Sequence, residues 1–237
     1  QTITGSNQPH GAIWLDGKIF ITCNQEPSRI VRFNNPLNDL SDFTTADFTN
    51  DGNHKSATDL VYVESKQKIY VVHWTGDSRV LFDEVDPATL AITNRVDDAA
   101  HAGDTVQFPG MGCDGTYIYC GYNLVVTSRI IRYRLSDWGF QDLVTLPGCY
   151  DVHTIDYDPV SGYVFATGAD IPGWIARIDP ANFSSPSFQN LRLGNDIVTD
   201  DFAFHEGYVW LGLESQNGRV VKVDKTNLGT GPNLTGQ

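Results

Sequence analysis

The chain has 237 residues, of which 41% are hydrophobic and 19% charged, so it can form one large domain with a substantial core. Its 16 basic and 29 acidic residues give a net charge of −13, which argues against nucleic acid and anionic membranes as partners. No apolar run approaches the roughly 18 residues that a membrane-spanning helix needs, so no membrane insertion is expected.

Short alternating strands rich in Val, Ile, Tyr and Phe run through the whole chain, and helical periodicity is almost absent. The strands fall into five blocks that share one order: an inner strand, a tight turn, a second strand, a loop, a third strand that starts near a basic residue, and a weaker fourth strand. In chain order the blocks read PHGAIWLDGKIFITC…SRIVRF, TDLVYVESKQKIYVVHW…SRVLFDEVDP, FPGMGCDGTYIYCGY…SRIIRYRL, VHTIDYDPVSGYVFATG…ARIDP and TDDFAFHEGYVWLGL…GRVVKVD.

The spacing of the blocks predicts the architecture. The second strands are anchored at Ile19, Ile69, Tyr117, Val164 and Val209, at intervals of 50, 48, 47 and 45 residues. The 28 residues after Val209 and the 18 before Ile19 together make one further period. A period in the forties with four strands per repeat is typical of a β-propeller. The sequence therefore predicts an all-β fold, a single five-bladed propeller over residues 1–237. Its repeats lie at about 6–50, 51–99, 100–148, 149–195, and 196–237 together with 1–5.

The blocks resemble the repeats of YVTN, NHL and SMP-30 (lactonase-like) propellers, through stretches such as PHG…DGKIFIT and DYDPVSGYVFATG. The resemblance covers the whole chain at the level of the repeat. Those families usually have six or seven blades, whereas this chain has five blocks. The resemblance implies a propeller, and a metal-dependent lactonase-like hydrolase as one candidate activity.

The chain ends offer two candidates for one outer strand of the last blade. Residues 2–5 (TITG) match the position of an outer strand and would close the ring, while residues 233–236 (NLTG) also follow the third strand at a suitable distance. A spare segment could add to the sheet edge of a neighbouring molecule, which makes a self-assembling extracellular protein one alternative.

Polar residues begin most of the inner strands. Aligning the blocks places five residues at one position, at the mouth of the axial channel: His10, Asp59, Phe108, His153 and Asp200. Aromatic and imidazole side chains lie near the same face, at the ends of second strands or in the loops before inner strands: His73, Trp74, Tyr122 and Tyr150. We expect these four residues to bind a ligand together with His10, Asp59, His153 and Asp200.

Three interpretations of this polar ring stay open from the sequence. Its members could cap backbone groups at the strand ends. His10, Asp59, His153 and Asp200 could hold a divalent cation, since imidazole and carboxylate both suit one. A histidine beside an aspartate could also act as a general acid or base. The favoured function is a binding module that presents an acidic, His- and aromatic-rich pocket to a small ligand, a glycan or a protein, with the cation as its one candidate cofactor.

Several features point to a secreted, extracellular protein. The chain begins at Gln1 without a visible signal peptide, and Asn182 and Asn233 lie in Asn-x-Ser/Thr sequons that predict N-glycosylation. Four cysteines are an even number that fits an oxidising compartment, and Cys120 and Cys149 are placed to form a disulfide.

A basic residue recurs on the third strand of the blocks, as in SRIVRF, SRIIRY and ARIDP. We expect these arginines to be structural and to pair with acidic residues between blades.

Overall fold

The computed structural model describes residues 8–49, 56–75, 79–100, 109–123, 127–147, 149, 151–168, 173–190, 201–213 and 219–228. These residues form five antiparallel sheets that follow the five predicted blocks along the chain. The all-β, five-bladed β-propeller is therefore confirmed. Within the described ranges, no helix is long and apolar enough to cross a membrane.

The chain divides into two compact units, residues 1–111 and 112–237. In the first unit, blade 1 consists of β1 (Pro9–Leu15), β2 (Lys18–Cys23), β3 (Arg29–Asn35) and β4 (Asp39–Asp47). Blade 2 consists of β5 (Ser56–Val63), β6 (Lys68–Trp74), β7 (Val80–Val85) and β8 (Ile92–Asp98). In both blades each strand pairs with the next one along the chain.

The second unit contains most of blade 3 and all of blades 4 and 5. Blade 3 consists of β9 (Met111–Cys113), β10 (Tyr117–Asn123), β11 (Thr127–Arg134) and β12 (Phe140–Pro147). Blade 4 consists of β13 (Val152–Asp158), β14 (Tyr163–Gly168), β15 (Trp174–Ile178) and β16 (Ser187–Asn190). Blade 5 has three strands in the described ranges, β17 (Phe202–His205), β18 (Tyr208–Leu213) and β19 (Arg219–Asp224). The predicted closing strand at 2–5 and the spare segment at 233–236 lie outside the described residues.

The alternation of side chains along its strands gives blade 4 two apolar faces. In β14, Val164 and Ala166 belong to the core shared with blade 3, and the intervening Phe165 belongs to the core shared with blade 5. Close approach between blades requires a small residue in β10, because a Cβ on Gly121 would lie 2.5 Å from Val152 Cγ1 of blade 4. Blades 1 and 2 share a core of the same kind, in which Phe20 packs with Ile69.

The length of the first hairpin turn differs between blades and shifts the sequence alignment. β1 and β2 are joined by a two-residue turn after Leu15, whereas β5 and β6 are joined by a longer turn containing the 3-10 segment Glu64–Lys66. The second strands begin in equivalent positions at Lys18, Lys68, Tyr117, Tyr163 and Tyr208. The anchor in blade 3 is therefore Ile118, one residue after the predicted Tyr117.

Arginines on the third strands connect neighbouring blades through backbone carbonyls. The Arg32 guanidinium donates to the carbonyl oxygen of Pro87 at 3.0 Å, and Arg132 donates to that of Pro180 at 2.7 Å. Arg177 donates to the carbonyl oxygen of Lys225 at 2.7 Å. In each case the acceptor lies one or two residues after the third strand of the next blade. These arginines are structural, as expected, but their acceptors between blades are carbonyls rather than the predicted acidic side chains.

Aromatic rings support the guanidinium group in blade 3. Arg132 lies 4.7 Å from the ring centre of Tyr117 in its own blade and 4.5 Å from that of Phe183 in blade 4. Its side chain is 16% exposed, so both the cation–π contacts and the hydrogen bond are partly shielded from water.

We predict that Arg132→Met, which keeps the aliphatic stem, lowers the free energy of unfolding by about 2 kcal/mol, through loss of a charge-assisted hydrogen bond and cation–π contacts. Urea denaturation would measure this change. Arg134→Met is the matched control, because Arg134 is on the same strand, is 42% exposed and contacts Asp137 of its own blade. The control should cost about 0.5 kcal/mol or less, as expected for a surface ion pair. Equal losses would contradict the structural role of Arg132.

Candidate functional site

The inner strands of blades 1, 2 and 4 each contain a β-bulge near their first residues. The irregularity includes His10 in blade 1, Thr58 in blade 2 and His153 in blade 4. The pairing of the first and second strands makes His10 and His153 equivalent to Thr58 of blade 2. Asp59 lies one residue after that position. The structure therefore brings the two histidines to the same register position but takes Asp59 out of the predicted ring, because the first hairpin turn of blade 2 is longer than the sequence alignment assumed.

Asp59 holds backbone groups of two inner strands. Its Oδ1 accepts a hydrogen bond from the Leu60 amide at 2.8 Å, and its Oδ2 accepts one from the Met111 amide at 2.9 Å. The neighbouring Thr58 hydroxyl donates to the Pro109 carbonyl at 3.0 Å. Asp59 Oδ2 thus positions the start of β9, and Oδ1 caps an amide of its own strand, which is the capping role among the three interpretations.

The remaining members of the predicted site have different environments. His10 is exposed, with its Nε2 3.4 Å from Asn24 Nδ2, whereas His153 and Trp74 are half-buried. Asp200 and Tyr150 lie outside the described residues.

Two predicted ligand-binding side chains lie inside the protein. His73 and Tyr122 are each only 1% exposed, in strands β6 and β10. The sequence places both residues near the ends of second strands, but alternation turns their side chains towards the sheet faces. The structure thus assigns both to the interior and not to an open ligand surface.

The predicted disulfide is not formed in the structure, which has Cys120 and Cys149 as buried thiols. Cys149 packs in the core between blades 3 and 4 beside Tyr119. Because successive side chains on a strand point to opposite faces, Cys120 faces away from Tyr119 and from that core.

No group of three or more His, Cys, Asp or Glu side chains within the described ranges is arranged to hold a metal ion. The predicted cation site at His10, Asp59, His153 and Asp200 includes one residue outside those ranges. Asp59 also already accepts two backbone hydrogen bonds.

Two carboxylates of the second unit repel each other: Asp156 on the inner strand of blade 4 and Asp201, which directly precedes the inner strand of blade 5. Asp156 in β13 is open to solvent, yet the protein packed around it desolvates its carboxyl group and raises its pKa to about 6. An amide hydrogen bond from Tyr157 opposes this rise, and repulsion from Asp201 and Asp158 adds to it. Asp201 is also exposed and accepts a hydrogen bond from the Phe202 amide at 2.7 Å.

The repeats contain a signal for this pair that the sequence analysis missed. Asp156 lies opposite Phe165 of its neighbouring strand. The equivalent residues of blades 1, 2 and 5 are Ile13, Val61 and Ala203, which lie opposite Phe20, Tyr70 and Trp210. The Asp156 carboxylate thus occupies a position where blades 1, 2 and 5 have an apolar side chain. An alignment that allowed for the differing turn lengths would have identified it.

Cys113 lies near Asp156, and its thiol is protonated at neutral pH. Burial raises the pKa of its thiol to about 11, and the charges of Asp114 and Asp156 raise it further. The Gly115 amide donates a hydrogen bond to the Cys113 sulfur at 3.2 Å.

Comparisons with known proteins support the fold alone. No family model matches the chain, and no curated protein matches its sequence. Among solved structures, the Dos1 propeller is similar with 12% identity and a TM-score of 0.60, over 92% of this chain and 57% of that one. A luciferin-regenerating enzyme is similar with 10% identity and a TM-score of 0.65, over 98% of this chain and 78% of that one. A GH43 β-1,3-galactosidase is similar with 10% identity and a TM-score of 0.59, over 94% and 61%.

This chain therefore spans less than two thirds of the Dos1 propeller and of the galactosidase. The neighbours include enzymes and a protein described only as a propeller, and at these identities they establish the propeller fold without an activity. The propeller fold that the resemblance implies is confirmed, whereas no family match confirms the resemblance to YVTN, NHL and SMP-30 repeats.

We predict that Asp201→Asn lowers the midpoint at which the Asp156 carboxyl group titrates, because it removes one of the negative charges that oppose ionisation. NMR of the carboxyl carbons would place the wild-type midpoint near pH 6. Asp142→Asn, on the outer strand β12, is the control and should leave the midpoint unchanged. An Asp156 midpoint near 4 in the wild type would contradict the desolvated site.

Proposed function

We propose that this protein is a secreted binding module whose ligand site is the solvent-accessible surface around Asp156 and Asp201. The observation that carries the proposal is a solvent-accessible carboxylate, Asp156, at a position where three other repeats have an apolar side chain; its raised pKa and its repulsion from Asp201 support it. Such a pair destabilises the folded protein at neutral pH, and three other repeats show that the fold does not need a charge at this position. Strongly shifted groups of this kind concentrate at functional sites.

The chemistry of the pair defines the ligand class. Ionised carboxylates are hydrogen-bond acceptors only, so they select a ligand that offers donors, such as sugar hydroxyls or an ammonium group. The net charge of −13 favours a neutral or cationic ligand over an anionic one. His153 and Thr154, both half-buried near the start of the same inner strand β13, supply further polar groups.

The same carboxylates support a second candidate, a glycoside hydrolase. Glycosidases use two carboxyl groups, one of which has a raised pKa and donates a proton to the leaving group. Asp156 would be that acid, with Asp201 as the second carboxylate. The similar solved structures include one named as a β-1,3-galactosidase, although that likeness concerns the fold. A metal-dependent lactonase has less support, since no metal-ligating cluster is found in the described part of the chain.

We expect Asp156→Asn/Asp201→Asn to weaken the binding of galactose, arabinose or glucosamine at least tenfold, because it removes two charged hydrogen-bond acceptors. Each sugar is added stepwise to the wild-type protein, and the NMR signals of Asp156 and its neighbours give the affinity. Saturation-transfer NMR on the sugar compares the variants. Asp142→Asn removes a carboxylate from an outer strand and should bind as the wild type does.

Two outcomes would count against the binding site: no response of the Asp156 region to any of the three sugars, or unchanged affinity in the double variant. Incubation with aryl glycosides of the same sugars separates the two candidates. Release of the aryl group by the wild type but not by Asp156→Asn favours the hydrolase, and binding without release favours the module.

Secretion is part of the proposal and is supported by the position of one sequon. Asn182 is exposed in the 3-10 turn Pro180–Asn182 that follows β15, so its side chain is accessible to a glycosyltransferase. We predict that material from a eukaryotic secretory host carries a glycan at Asn182, detectable as a mass shift that peptide N-glycosidase removes. Ser184→Ala abolishes the sequon and should abolish the shift, and unmodified Asn182 in secreted wild-type protein would contradict the prediction. Asn233 lies outside the described residues.

A further inference from the structure

The contact between blades 1 and 2 contains a buried histidine–aspartate pair. His73 Nε2 of β6 lies 3.1 Å from Asp83 Oδ2 of β7, and their side chains are 0% and 2% exposed. Ser28 Oγ of blade 1 lies 3.4 Å from His73 Nδ1, and the Phe48 ring packs edge-on against the imidazole at 4.6 Å. An ionisable pair thus lies between two blades, out of contact with water.

The corresponding contact between blades 3 and 4 shows that the fold does not require this pair. Ser128 of blade 3 is equivalent to Ser28, because each directly precedes the arginine that pairs with the sixth residue of the second strand, Cys23 in blade 1 and Tyr122 in blade 3. In blade 4 the positions equivalent to His73 and Asp83 are Gly168 and Ala176, and the Trp174 ring fills the space above Gly168. Apolar packing therefore fills this position between blades 3 and 4. The charged pair in blade 2 is not required for the sheets to fit together.

The charged residues next to the pair in sequence face the other side of their sheets. Arg29, beside Ser28, contacts Asp47, and Glu84, beside Asp83, contacts Arg95. On the pair's own side, β8 provides the Asn94 amide, 3.4 Å from Asp83 Oδ1, and β5 places Ala57 opposite His73. His73 thus places a titratable nitrogen in direct contact with the Asp83 carboxylate.

We propose that His73 and Asp83 retain one proton between them in the folded protein at neutral and mildly alkaline pH, and so make unit 1 less stable as the pH rises above about 6.5. A net charge in a dry interior is costly, so the pair is held neutral overall, either as imidazolium and carboxylate or as imidazole and carboxylic acid. Both forms contain one more proton than neutral imidazole with ionised carboxylate.

The direction of the effect follows from counting protons. In the unfolded chain Asp83 is ionised, and His73 loses its proton near its ordinary pKa of about 6.5. Below that pH both states contain the proton, and the pair contributes its full stability. Above it the folded state binds one more proton than the unfolded state, so stability falls with rising pH.

The test is the pH dependence of unfolding of the full chain between pH 7 and 8, followed by tryptophan fluorescence in urea. A one-proton difference raises the unfolding constant about tenfold per pH unit. Asp83→Asn leaves a neutral acceptor for the imidazole and removes the reason to retain the proton. We therefore expect the wild-type constant to rise about ten times more over this interval than that of Asp83→Asn. Equal pH dependence in the two proteins would overturn the proposal.

A control and a direct measurement complete the test. His153→Gln removes a histidine outside the pair and should keep the wild-type pH dependence, and a loss of it there would overturn the assignment to His73. If Asp83→Asn does not fold, NMR of the imidazole nitrogens in the wild type decides the question. The proposal requires His73 signals that stay constant from pH 5.5 to 8, and a titration centred near 6.5 overturns it.

Discussion

The apolar faces of a propeller blade must be covered by the blades beside it, and most of the described structure follows from this constraint. The sheets are four-stranded or three-stranded, and a sheet of that size cannot bury an apolar face by itself. In blade 4 alternate residues of β14 pack in two different cores. A single substitution in β14 therefore changes the packing against one neighbouring blade and not against the other. The Arg32, Arg132 and Arg177 hydrogen bonds also connect neighbouring blades, through carbonyls that follow the third strands.

The interfaces have the same geometry but differ in chemistry. Blades 1 and 2 meet over a histidine–aspartate pair, and blades 3 and 4 meet over a tryptophan stacked above a glycine. Blades 4 and 5 have a third solution, a buried ion pair in which Lys225 Nζ lies 2.8 Å from Asp158 Oδ2. Buried charges add little net stability compared with well-packed apolar groups, but they disfavour alternative pairings that would leave a charge without its partner. In a chain of similar repeats, such differences help each blade to recognise its own neighbour.

The architecture was predictable from the sequence because it depends on period and alternation. Anchors such as Ile69 and Val209 recur at a regular interval, and the blade number follows from the interval and the chain length. The detailed register was not predictable, because a turn such as Glu64–Lys66 changes the count of residues within a blade without changing its strands. That difference separated Asp59 from His10 and concealed the unusual position of Asp156.

The chemistry of individual residues was harder to predict for two physical reasons. The arginines were recognisable, but their acceptors are carbonyls, which every residue has and no sequence pattern marks. His73 and Tyr122 were assigned to a surface from their place along a strand, whereas burial depends on which sheet face a side chain takes. The site proposed around Asp156 depends on desolvation and on the charge of another blade, both of which exist only after the blades have packed.

The variable first hairpin turn has a consequence for protein engineering. Turns of two residues in blade 1 and of greater length in blade 2 connect strands of the same register, so the length of this turn is decoupled from the packing of the sheets. Exposed residues such as Val160, at 85% in the corresponding turn of blade 4, show how little of this loop is committed to the core. A guest peptide inserted there would be displayed from a rigid scaffold, at an entropic cost that grows only slowly with its length.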